Sequence, residues 1–146
     1  MKKLIALVLV FFTVGCQSLP LKKTIVLSAQ NIEVAAGSAQ DFENTAYKSQ
    51  LWKISPETHK EINAKLARVF NAQIKLAIVL KTWKAGDPYP EELNEVITAT
   101  SEAVDLINRL GLKDPQTQAQ AQQMITMLNA ILKSVAIFSQ ILGGAK

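Results

Sequence analysis

The chain is poor in the residues that staple, ligate or break structure. One Cys and one His among 146 residues exclude a disulfide scaffold, a structural zinc site and a paired-thiol redox centre, each of which needs several such side chains. Six Gly and five Pro are too few for a turn-rich β-sandwich, and with aromatics at only 6% the composition points to helices. Charge of one sign is scarce as well. The 16 basic and 12 acidic residues give +4, and Lys2 and Lys3 stand in the amino-terminal stretch, which leaves +2 for the rest. So small an excess argues against a nucleic-acid partner held by phosphate neutralisation. What is abundant is apolar side chain, 49% of the residues, enough for one compact core and not for two.

Residues 1–16 read MKKLIALVLVFFTVGC: two lysines, an apolar run from Leu4 to Phe12, then modest residues up to Cys16. A charged start, a short apolar run and a small residue before the break are the parts of a secretory signal. The run is too short to span about 30 Å of hydrocarbon, which takes about 20 residues. Its end, Thr13-Val14-Gly15-Cys16, resembles the lipobox of bacterial lipoproteins, with Thr13 standing where that family usually has Leu. The resemblance covers the first 16 residues and implies cleavage before Cys16, a diacylglyceryl thioether on its sulfur and a further acyl chain on its nitrogen. Several acyl chains anchor durably where one holds marginally. Gln17, a residue other than Asp after the Cys, implies the outer membrane in Gram-negative members of that family, with the protein facing the periplasm. Residues 17–23 form a short tether, and Lys22 and Lys23 lie within reach of anionic headgroups.

Beyond the tether, four helical segments are expected. Between Thr24 and Gln50 there is no Pro and one Gly, and Ile25, Ile32, Ala35, Ala39, Phe42 and Ala46 recur at spacings of three, four and seven, which predicts a long Ala-faced helix. Ser55-Pro56-Glu57 supplies an N-cap, a Pro at the first helical position and an acid in the first turn. The second helix that starts there carries Ile62, Leu66, Val69, Phe70, Leu76, Ala77, Leu80 and Trp83 on its core stripe. Gly86-Asp87-Pro88-Tyr89-Pro90 breaks it. Glu91 and Glu92 open a third helix with charge that suits a helix N-terminus, and Leu93, Val96, Thr100, Ala103, Ile107 and Leu110 carry it towards Gly111. Asp114-Pro115 opens the fourth, whose ladder is Ala121, Met124, Leu128, Ile131, Val135, Phe138 and Leu142. Short connections between helices of this length predict an all-α, antiparallel four-helix bundle over 24–142, preceded by a signal at 1–15 and the lipidated Cys16 with its tether at 16–23, and followed by a tail at 143–146.

Candidate interaction residues fall on two helices. Lys53 to Lys84 contain seven basic and two acidic residues, whereas Glu91 to Arg109 contain five acidic and one basic. The second and third helices should therefore attract each other along their flanks, and Lys65, Arg68 and Lys75 are alternatively available to an acidic partner or headgroups. The fourth helix has Lys133 as its one charge between Gln116 and Ala145. A polar strip through Thr126, Lys133 and Gln140 is its expected solvent edge, and Met127, Ile137 and Ile141 are a candidate apolar patch for a partner or a second copy. His59, in the first turn of the second helix beside Glu57, Lys60 and Glu61, is expected to face solvent. Trp52 and Trp83 flank that helix and are expected to pack on the core, or at a membrane interface.

No haem, di-iron, nucleophile triad or phosphate-loop pattern is present in these residues, so no catalytic residue, metal or cofactor is expected. The sequence predicts a small lipid-anchored bundle that acts by protein-protein interaction or scaffolding in the envelope. Two alternatives stand beside it: a phage- or mobile-element-encoded exclusion or membrane-active factor, and a carrier of an apolar ligand, the latter requiring a void among Phe70, Ile107 and Phe138.

Overall fold

The computed structural model describes residues 21–84 and 86–144. They form four helices and, among the described residues, no strand: α1 Leu21–Lys48, α2 Pro56–Thr82, α3 Glu92–Asn108 and α4 Pro115–Gly144. α1 touches α2 and α4, and α3 likewise touches α2 and α4, with no diagonal contact. This is the square of an antiparallel bundle. The Lys75–Glu95 and Lys65–Glu102 pairs, running in opposite directions along α2 and α3, fix that sense for the second hairpin. α1 begins at Leu21, inside the stretch expected to be tether, and α4 runs on to Gly144, two residues past the expected end of the bundle.

Local chemistry sets the boundaries. Ser55 is extended (φ −69°, ψ 156°) and its Oγ accepts from the Thr58 N–H at 3.1 Å, with Pro56 behind it opening α2. Asp114 does the same for α4: its Oδ2 accepts from the Thr117 N–H at 2.9 Å and from the Thr117 hydroxyl at 2.8 Å. The backbone N–H of Thr117 is the first reason the Asp114 carboxyl titrates below its usual range. α3 opens without a side-chain cap, so the negative charge of Glu92 and Glu95 in its first turn acts on the helix dipole alone. Gly111, after α3, has a φ of +58°, a left-handed conformation that Gly takes without steric cost. Thr117 also accepts from the Lys53 N–H at 3.2 Å, and Lys53 Nζ reaches Asp114 at 3.3 Å. The start of α4 is thereby tied to the connection between α1 and α2.

The core is the predicted one on α4, where Ala121, Met124, Leu128, Ile131, Val135, Phe138 and Leu142 are all buried. Thr126, Lys133 and Gln140 are all exposed, so the polar strip is the solvent edge. On α1 the stripe is rotated from the expected one. Ala36, Ala39, Glu43 and Ala46 are buried, whereas Ala35 and Phe42 are half-buried. Counting only apolar residues passes over Glu43, which completes the three-four spacing between Ala39 and Ala46.

Candidate functional site

The carboxylate of Glu43 is fully buried (0% exposed), and burying an ionised group demands partners. α2 supplies them from its first two turns. His59 Nδ1 lies 2.7 Å from Glu43 Oε1, and Asn63 Nδ2 donates to Glu43 Oε2 at 2.8 Å. With Glu43 ionised, its oxygens only accept, and Nδ1 is then the donor. Tyr47, one turn along α1, stacks on the imidazole with ring centroids 3.7 Å apart and planes 6° from parallel. Asn44 joins from the same side through its amide, 3.4 Å from that of Asn63. Burial pushes the Glu43 carboxyl above its usual range, against the opposing pull of the His59 hydrogen bond and charge and of Asn63.

The expectation that His59 faces solvent is therefore corrected: its side chain is 22% exposed, turned back onto α1 by the buried acid. Chemically the cluster is an oriented imidazole on a buried carboxylate, the arrangement that sets a His tautomer. Among the described residues the groups ringing it are Tyr47, Asn44 and Asn63, and all of them are spent on the contact between α1 and α2.

Three basic residues of α2 are placed by the acidic flank of α3. Lys65 Nζ meets Glu102 Oε2 at 2.7 Å, Arg68 binds the same oxygen, and Lys75 meets Glu95 at 3.0 Å. The Lys65 hydrogen bond is the first cause holding the Glu102 carboxyl below its usual range. Lys65, Arg68 and Lys75 thus form the predicted electrostatic seam. Arg68 and Lys75 also line a shallow groove of about 660 Å³ with Asn71, Ala72, Glu91, Asn94, Glu95, Thr98 and Ala99. None of Phe70, Ile107 and Phe138 borders this groove; Ile107 and Phe138 are buried and Phe70 packs on the core.

The candidate patch on α4 is divided. Ile137 is 44% exposed beside the exposed Ala136, whereas Ile141 is half-buried and Met127 packs against the core. Met127 flanks the ladder, three residues from Met124 and four from Ile131, which turns it partly inward. α4 is long and apolar enough by length and composition to cross a membrane, yet its ladder is buried in the bundle, where α4 contacts α1 and α3. Trp52 is buried in the turn after α1, while Trp83 is half-buried at the end of α2, its Nε1 donating to the Pro88 carbonyl at 3.1 Å. Gln73 is passed over when only apolar residues are counted. It is buried seven residues from both Leu66 and Leu80, and neither atom of its amide has a partner. Cys16, the expected lipidation site, lies outside the described residues, as do residues 1–15 and 17–20.

No metal-ligating cluster of three or more His, Cys, Asp or Glu occurs among the described residues. Comparison with known protein families, curated proteins and solved structures finds no match to the chain.

Proposed function

We propose that the chain is a lipid-anchored bundle of the bacterial envelope that works by contact with another envelope protein. The observation that carries the reading is Gly15-Cys16 at the end of the apolar run, the one Cys of the chain, a few residues before α1 begins at Leu21. From Cys16 to Leu21 an extended chain reaches about 18 Å, which keeps the bundle beside the bilayer. Gln17 favours the outer membrane and a periplasmic bundle.

The disposition of side chains supports contact over chemistry. The most buried acid is spent on His59 and Asn63, and Lys65, Arg68 and Lys75 of α2 are spent on Glu95 and Glu102. Val34 on α1, 68% exposed, and Leu51 at the turn after it, 39% exposed, project outward and apolar as contact points for a protein partner.

Replacing Cys16 with Ser and fractionating the cells tests the anchor: the variant should leave the membrane fraction or accumulate as precursor. A variant that is processed and stays membrane-bound contradicts it. Photo-crosslinkers in place of Val34 and Leu51 test the partner surface, and the expected result is one defined protein adduct from both positions. A chain captured only by copies of itself points to self-association.

A further inference from the structure

The topology puts three features at one end of the bundle: the start of α1 at Leu21, the connection between α2 and α3, and the end of α4 at Gly144. The chain that leads back to Cys16 leaves from this end. Three of the five exposed large apolar side chains among the described residues lie towards this end too. Ile78 is 59% exposed four residues before the end of α2, Tyr89 is 43% exposed in the connection, and Ile137 stands seven residues before the end of α4. At about 1.5 Å per residue, Ile78 and Ile137 lie roughly 6 and 10 Å from their helix ends, on helices that face each other diagonally across the bundle. The Tyr89 hydroxyl is bonded to Ser139 Oγ at 2.6 Å, which holds the connection against α4 beside Ile137.

The two ends differ in their tryptophans. Trp83, at the end that holds Leu21, is half-buried, with its indole N–H satisfied by Pro88; Trp52, at the other end, is sealed in the core. Lys81 and Lys84 are exposed around Trp83, and Lys22 and Lys23 fall in the first turn of α1. Of the acids at this end, Asp87 is turned onto the Lys84 backbone N–H at 2.7 Å, and Glu91 and Glu92 lie at the start of α3. Partly exposed Trp and Tyr with flanking lysines are the composition of a headgroup interface.

We propose that this end of the bundle docks on a phospholipid surface, with Trp83, Tyr89, Ile78 and Ile137 at headgroup depth and Lys81 and Lys84 against the phosphates. The inference rests on the lipid anchor at Cys16, because the anchor holds this end, and not the one bearing Leu51, against the bilayer. It also separates two surfaces: a collar for lipid, and Val34 with Leu51 left open to a protein.

The test uses the full lipidated chain in vesicles of phosphatidylethanolamine and phosphatidylglycerol, part of the lipid brominated on its acyl chains. Trp52→Phe leaves Trp83 as the reporter and Trp83→Phe leaves Trp52. Bromolipid should quench Trp83 several-fold more than Trp52. A chain that floats with the vesicles while Trp83 is quenched no more than Trp52 overturns the docking and leaves the anchor standing. A chain that does not float overturns the anchor, and the docking with it. Should Trp52→Phe lose its helical circular dichroism, benzoylphenylalanine in place of Ile137 and, separately, Lys113 gives the same comparison. Lipid adducts from position 137 and not from 113 support the docking, and protein adducts at 137 without lipid contradict it.

Discussion

α1 meets α2 through a polar cluster at close range, whereas α4 is held by a continuous apolar ladder. Among the residues of α1 whose side chains are described, those buried are Ala36, Ala39 and Ala46 around Glu43, with Ala35 and Phe42 packed against the core, and hydrogen bonds to His59 and Asn63 with the stack on Tyr47 tie it to α2. α4 offers seven buried apolar side chains without a break. Apolar burial is roughly proportional to area and forgiving of register. A buried carboxylate is satisfied at one register only. The comparison teaches that α4 supplies stability and that the Glu43 cluster specifies how α1 seats on α2.

Substitution at the centre of the ladder should have the largest effect. Ile131 is fully buried in the middle of α4, and Ile131→Ala is expected to cost about 2 to 5 kcal/mol, read as a lowered midpoint in urea. A loss smaller than that at His59 would reverse the roles given to the two regions.

His59→Ala comes next. It strips a buried carboxylate of one partner and removes the stack on Tyr47, at a cost of about 1 to 3 kcal/mol. Chemical denaturation that shows no change would place His59 back in solvent.

Glu43→Gln sharpens the comparison through pH. Burial holds the Glu43 carboxyl above its ordinary 4.5, so between that value and the raised one the folded chain keeps a proton that the unfolded chain has lost. The contribution is complete below the ordinary value and is lost as pH rises through the raised one. Wild type should therefore lose stability relative to Glu43→Gln over that window, and denaturation curves that stay parallel across it would contradict the burial argument.

The smallest effect is expected on the outer edge of α4. Lys133 is exposed, and Lys133→Glu should change stability by no more than about 0.5 kcal/mol. A collapse of the thermal transition would mean that this edge is covered.

Much of the fold is legible in residue spacing because its signals are local. Ser55-Pro56, Asp114-Pro115 and Gly111 act within a turn of helix, and the α4 ladder repeats often enough to define a face. The opposed charges of Lys65, Arg68 and Lys75 against Glu95 and Glu102 are readable for the same reason, since the two helices are joined by a short turn. His59 is misread from sequence because its own turn is polar, with Glu57, Lys60 and Glu61 around it. The group that turns it inward, Glu43, is 16 residues away on another helix. The trace left in the sequence is an acid at a core position between Ala39 and Ala46, and a donor pair, His59 and Asn63, one turn apart on the next helix. Gln73 is the same kind of case, a polar residue on an apolar stripe that periodicity counting skips.

The central claim is that the chain works from a lipid anchor at Cys16. Mass spectrometry of the amino-terminal peptide of the protein extracted from membranes tests it most directly. The expected mature chain begins at Cys16 and carries a diacylglyceryl group on its sulfur; a chain that retains residues 1–15, or a Cys16 with a free thiol, would contradict the anchor.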